Sequence, residues 1–135
     1  MFRQLHDPYW VGMSEMFIGG VDYVEGKFEA ADTRLGAALS IFHRRGNVMG
    51  TAWVLYAFAD AARRRGHPGR ALRLVGASDA LRKGVEMPGL AIATMGDPAE
   101  RARADLHEAA AEEAYRAGLA MGLEQAVAYA LNQEA

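Results

Sequence analysis

The feature that most constrains this chain is its helix punctuation. "HRRGN" closes at Gly46, "RRRGH" at Gly66, "LRKGV" at Gly84 and "YRAGL" near Gly118. Glycine adopts the left-handed conformation after a last helical turn, and cations in that turn face the negative end of the helix dipole. The starts are marked too. Asp7 and Pro8 in "HDPYW", and Asp97, Pro98 and Glu100 in "GDPAER", have N-cap, first-turn and capping-box spacing, and His67 with Pro68 in "GHPGRA" takes the same slots.

Between these marks apolar residues recur three and four apart, which predicts helices over about 8–25, 27–45, 47–65, 67–84 and 98–117, with a short sixth to about 132. The segment "VEMPGLAIATMG" reads as a loop with at most one turn. Alanine is abundant while isoleucine and threonine are scarce, a bias toward helix and away from strands. The expectation is a single all-α domain over 1–135, with helix pairs at about 8–45, 47–84 and 98–132.

Composition removes several functions. The chain has no cysteine, so neither disulfides nor thiolate metal sites are available; it contains no apolar run of transmembrane length, and "MFRQLHDPYW" lacks the basic segment and long apolar stretch that mark a secretory signal. A cytoplasmic, membrane-free protein is expected. Residues 1–84 carry twelve bases and eight acids, whereas 85–135 carry three bases and nine acids, which argues against a uniformly basic nucleic-acid binder.

Catalytic and metal motifs are incomplete. "HEAAAEE" begins like a zinc helix at His107 and Glu108, but Ala111 stands where the second histidine would be. "GMSEM" around Ser14 and "GASDA" around Ser78 lack the closing glycine and preceding strand of a nucleophile elbow. No histidine has a carboxylate and a nucleophile at a recognisable spacing, so the chain reads as non-enzymatic, without a cofactor.

Gly26 placed over Gly66 brings Phe28 onto Pro68, Ala31 onto Ala71 and Leu35 onto Val75, an offset of forty residues. Ile18, Gly19, Gly26, Phe28, Ala31, Ala38 and Leu39 give the first unit a resemblance to a tetratricopeptide repeat (TPR). The second unit keeps Gly66 and Ala71 but has Pro68 in the aromatic slot and Ser78 in place of the later alanine. The second half, from "GHPGRALRLVGASDALRKG" to "GLEQAVAYAL", resembles the C-terminal helical region of bacterial LuxR-type signal-transduction ATPases, through Arg70, Ala71, Leu74, Gly76, Ala77, Ala80, Leu81 and Arg82, and Leu123, Glu124, Ala126, Val127, Ala128, Ala130 and Leu131.

These resemblances imply a TPR-like superhelix of about five or six helices in antiparallel pairs, acting in protein interaction or sensing. Groove positions carried over from tetratricopeptide repeats fall on Met13, Met16, Tyr23, Trp53, Tyr56, Asp60, Arg63 and Arg64. Such a surface suits a protein or peptide partner, with arginine available for a carboxylate; the same aromatics and methionines equally suit a core. Arg65 reads as a helix end. A short stack leaves apolar end faces, so a homodimer is expected. The alternative is a small-molecule sensor holding a ligand near Trp53, Tyr56 and the loop after residue 84, with nucleic-acid binding through the arginines of residues 63–73 the third reading.

Overall fold

The computed structural model describes residues 7–87 and 97–132, which are all-helical with connecting turns. Seven helices follow in order: α1 (Pro8–Val24), α2 (Phe28–Arg44), α3 (Val48–Arg64), α4 (Pro68–Arg82), α5 (Pro98–Ala104), α6 (Glu108–Leu119) and α7 (Leu123–Leu131). The first four begin at twenty-residue intervals, so the forty-residue offset is two helix-turn units long. The turns that separate them share one geometry. Gly26, Gly46 and Gly66 have φ of 80°, 69° and 82°, and the N–H groups of Lys27, Asn47 and His67 return to the carbonyls of Asp22, Phe42 and Ala62 at 2.7, 2.9 and 2.8 Å. Both the left-handed glycine and that long return bond define the Schellman ending.

The starts are less uniform. Asp7 and Asp97 cap as their spacing predicts, and Asn47 accepts from the Gly50 N–H at 2.8 Å. His67 occupies the N-cap slot of α4 but makes no side-chain cap bond, so Pro68 and the preceding glycine turn set that start. The single helix expected over 98–117 is two, broken at Asp105–His107, so the described residues hold seven helices. Helix α6 restarts at His107 in extended backbone. Gly118 does not stop a helix by positive φ: it lies inside α6, and its role is a contact described below. Most of "VEMPGLAIATMG" lies outside the described residues.

Helices α1–α2 and α3–α4 form two hairpins, with α3 against α2 and α1. From Gly50 to Ala62 every residue of α3 except Trp53 is buried, the signature of a central helix. Ser78 of α4 is fully buried and donates to the Ala52 carbonyl of α3 at 2.8 Å, a packing role in place of the nucleophile geometry its local sequence suggests.

Glycines set the helix separations. The Phe42 ring is wedged between α1 and α3: a methyl added at Gly12 would lie 2.8 Å from it, and one at Gly50 2.5 Å. Gly19 sits in close contact with Leu35 and Ala31. The tightest approach is α6 on α4, where Gly76 meets the backbone at Tyr115 and Leu119, and Gly118 meets that of Arg73 and Ala77. Helix α7 lies over α2, α3 and α4 rather than alongside α6.

Candidate functional site

The eight groove-type residues all lie on α1 and α3, but most of that surface is interior. Met16, Tyr23, Tyr56 and Asp60 are buried, Met13 and Trp53 are partly buried against the core, and the Arg63 and Arg64 side chains are 15% and 26% exposed. Asp60 holds both arginines, through Arg63 Nη2 at 3.1 Å and Arg64 Nε at 2.9 Å. These are the three- and four-residue spacings that place side chains side by side on a helix. The two cations are thus not idle, although Trp53 Nε1, Arg63 Nε and Arg65 Nε are buried donors with no hydrogen-bond acceptor. Buried donors of this kind are rare and need an explanation.

At the turn end of the same helices a polar cluster joins the hairpins. The Tyr23 hydroxyl donates to Asp32 of α2, whose other oxygen pairs with Arg65 Nη2 at 2.9 Å. The Arg65 guanidinium lies over the rings of Tyr23 and Phe28, 5.4 and 5.0 Å from their centres. Arg65 therefore does more than end α3; it fastens α3 to the first hairpin through charge and cation–π contact. Burial and then the Asp32 bond push the Tyr23 hydroxyl well above its ordinary titration range, so it stays a neutral donor. A cavity of about 30 Å³, bounded by Tyr23, Phe58, Arg65, His67 and Arg70, has room for about one water.

Arg70 organises the last helix. Its guanidinium is buried and donates to the carbonyls of Asn132 and Ala130 at 3.0 and 2.9 Å, with the Tyr129 ring centre 4.8 Å away. A cation at the carboxyl end of α7 meets the negative pole of that helix. Arg73 Nη1 adds a bond to the Tyr129 hydroxyl at 3.2 Å, and at the opposite end of α7 His43 Nε2 lies 2.9 Å from Glu124 Oε1.

A second cluster ties α4 to α6 and α3. Asp79 accepts from the Tyr115 hydroxyl at 2.6 Å and pairs with Arg82, which spans 5.8 Å to the Tyr56 ring centre and donates to the Val85 carbonyl at 2.7 Å. Burial first, then Asp97, push the Tyr56 hydroxyl up to about 12; the Asp79 hydrogen bond is the main cause that holds Tyr115 at about 12. Both tyrosines are protonated donors at neutral pH and neither is an activated nucleophile. All six arginines between residues 60 and 84 are thus bonded within the chain. Phosphates would have to compete with those contacts.

Apart from these clusters, a cleft of about 270 Å³ opens between α4 and α6, walled by Gly69, Ala110, Ala114 and Ala117, with Leu106 at its side and Arg73 and Glu113 as its charged groups. Among the described residues no helix is long and apolar enough to cross a membrane.

The Asp60 and Asp79 pairings with Arg63, Arg64 and Arg82 have the three- and four-residue spacing of helical neighbours, a signal the sequence reading did not use. Asp32, Arg65, Arg70, Tyr115 and Tyr129 were not singled out as polar linkers, because their partners are distant in sequence. Compared with known protein families, curated proteins and solved structures, the chain matches none of them.

Proposed function

We propose that the chain is a non-catalytic, TPR-like helical-repeat module that binds a protein or peptide, the interaction or sensing part of a cytoplasmic transcriptional regulator. The observation that carries this reading is the face of α3. Two N–H donors of this helix, Trp53 Nε1 and Arg63 Nε, lack acceptors, and the second belongs to one of the two Asp60-bound arginines. A peptide supplying carbonyl or carboxylate oxygens would complete them after a small side-chain movement, and methionine and tryptophan offer adaptable apolar contact. The two hairpins with identical glycine turns support the repeat character. The link to transcriptional regulation rests on the sequence resemblance of residues 66–132.

The test is capture from native lysate by the immobilised chain, compared with a triple Asp60→Asn, Arg63→Gln, Arg64→Gln variant. Replacing the arginines alone would strand a buried carboxylate, so Asp60 must change with them. Loss of one specific protein from the variant supports the reading; the same capture by both chains sinks it.

A small-molecule sensor is the second reading, and the α4–α6 cleft is what favours it. Its volume of about 270 Å³ sits just under the usual range for ligand pockets, roughly 300–1,000 Å³. Thermal-shift screening with metabolites separates the two, because a ligand for this cleft raises the melting temperature without any protein partner.

A further inference from the structure

The outward face of α1 is apolar where an exposed helix face is ordinarily charged. Gly12, Met16, Gly19 and Tyr23 turn inward. On the opposite side Trp10, Phe17, Ile18, Val21 and Val24 are 49%, 39%, 43%, 54% and 62% exposed. The only charges within the helix, Glu15 and Asp22, are held by Arg34 of α2 and lie off this band. Residues 10, 14, 17, 21 and 24 alternate steps of four and three and fall within roughly 80° of arc, the spacing of a seam between two helices.

We propose that this face is a homodimer interface, in which α1 packs antiparallel against α1 of a second copy about a two-fold axis at Phe17. The pattern is complementary to itself in that register. Trp10 meets Val24 of the second copy, the bulkiest side chain against a modest one.

Charge selects the same orientation. The antiparallel register brings Asp7 of one copy toward Lys27 of the other at both ends, whereas a parallel one sets like charges together. Lys27 is well exposed and its ion pair is with nearby Glu25. The area also suffices. By the usual sizes of these side chains the band exposes on the order of 500 Å² a copy, so complete burial in the pair reaches about 1,000 Å², the least a biological interface needs and the size of a weak, reversible one. A second copy is therefore the occupant.

The chain has no cysteine, so single-cysteine variants report contacts cleanly. Sedimentation velocity of the full chain should show a reversible dimer, and Phe17→Glu or Val21→Glu should weaken it about tenfold or more by burying an unpaired charge. Because both side chains are exposed in the single chain, circular dichroism should show unchanged helix content. A short bis-maleimide should cross-link Phe17→Cys to itself but leave Val24→Cys largely single, since residue 24 faces residue 10. The dimer should have a dissociation constant below about 100 μM, and a wild-type chain that stays monomeric at about 200 μM overturns the proposal. So does a dimer that tolerates both glutamates, which must use another face, or equal cross-linking at residue 24, which means parallel pairing. None of these readouts involves a heterologous partner, so the groove reading can fail while this one stands.

Discussion

Replacing Gly118 by alanine tests the closest contact in the fold. In an exposed helix the change is favourable by about 1 kcal/mol, since alanine is the better helix former. Here the added methyl would lie 2.0 Å from the Arg73 carbonyl oxygen, 2.8 Å from its carbon and 2.9 Å from the Ala77 nitrogen. Those are backbone atoms of α4, so no side chain can rotate away, and α6 must retreat by more than about 1 Å to restore ordinary contact. Ala111 and Ala114, buried on α6, would lose part of their packing in that retreat. Overpacking costs about 1–3 kcal/mol, and a rigid obstacle belongs at the upper end. Net of the helix gain, Gly118→Ala should destabilise by about 2 kcal/mol and lower the melting temperature by roughly 6–10 °C for a domain of this size. Gly36→Ala is the control. Its methyl would sit 3.7 Å from Leu131, an ordinary contact, so that variant should gain up to about 1 kcal/mol. Urea unfolding followed by circular dichroism at one protein concentration measures both. Gly76→Ala should resemble Gly118→Ala, and the double variant should cost less than the sum, because one displacement relieves both clashes. If Gly118→Ala proves as stable as Gly36→Ala, the helix axes are not this close and the packing argument fails.

Arg70→Met should loosen α7, because two charge-assisted bonds to its terminal carbonyls disappear; hydrogen exchange over 123–131 should accelerate, for a loss of about 2–3 kcal/mol. Phe42→Ala should cost about 3–5 kcal/mol in chemical denaturation, since it empties the space between Gly12 and Gly50. Stability should also fall in alkali. Tyr56 and Tyr115 titrate near 12 when folded and near 10 when unfolded, so their contribution is whole below pH 10 and is lost as pH rises toward 12. Tyrosinate absorbance recorded with circular dichroism should show much of the ionisation accompanying unfolding; ionisation near pH 10 in an intact fold would contradict the burial described for Tyr56.

Local sequence determined where helices begin and end in the first two-thirds of the chain, because a glycine's left-handed φ and a proline's fixed φ act within a few residues. Gly26, Gly46 and Gly66 needed no tertiary information to be turns. The same local logic misassigned Gly118 and ran α5 into α6, since a small residue at a helical contact looks in sequence like one at a helix end. Tertiary structure alone decided that Arg65 binds Asp32 and two rings, that Arg70 closes α7, and that Met16, Tyr23, Tyr56 and Asp60 turn inward. The tetratricopeptide resemblance had assigned those four to a groove on two helices without saying whether that surface met solvent or other helices. Amphipathic period specifies a side of a helix, whereas burial depends on what packs there, and for α3 that was decided by contacts from five other helices.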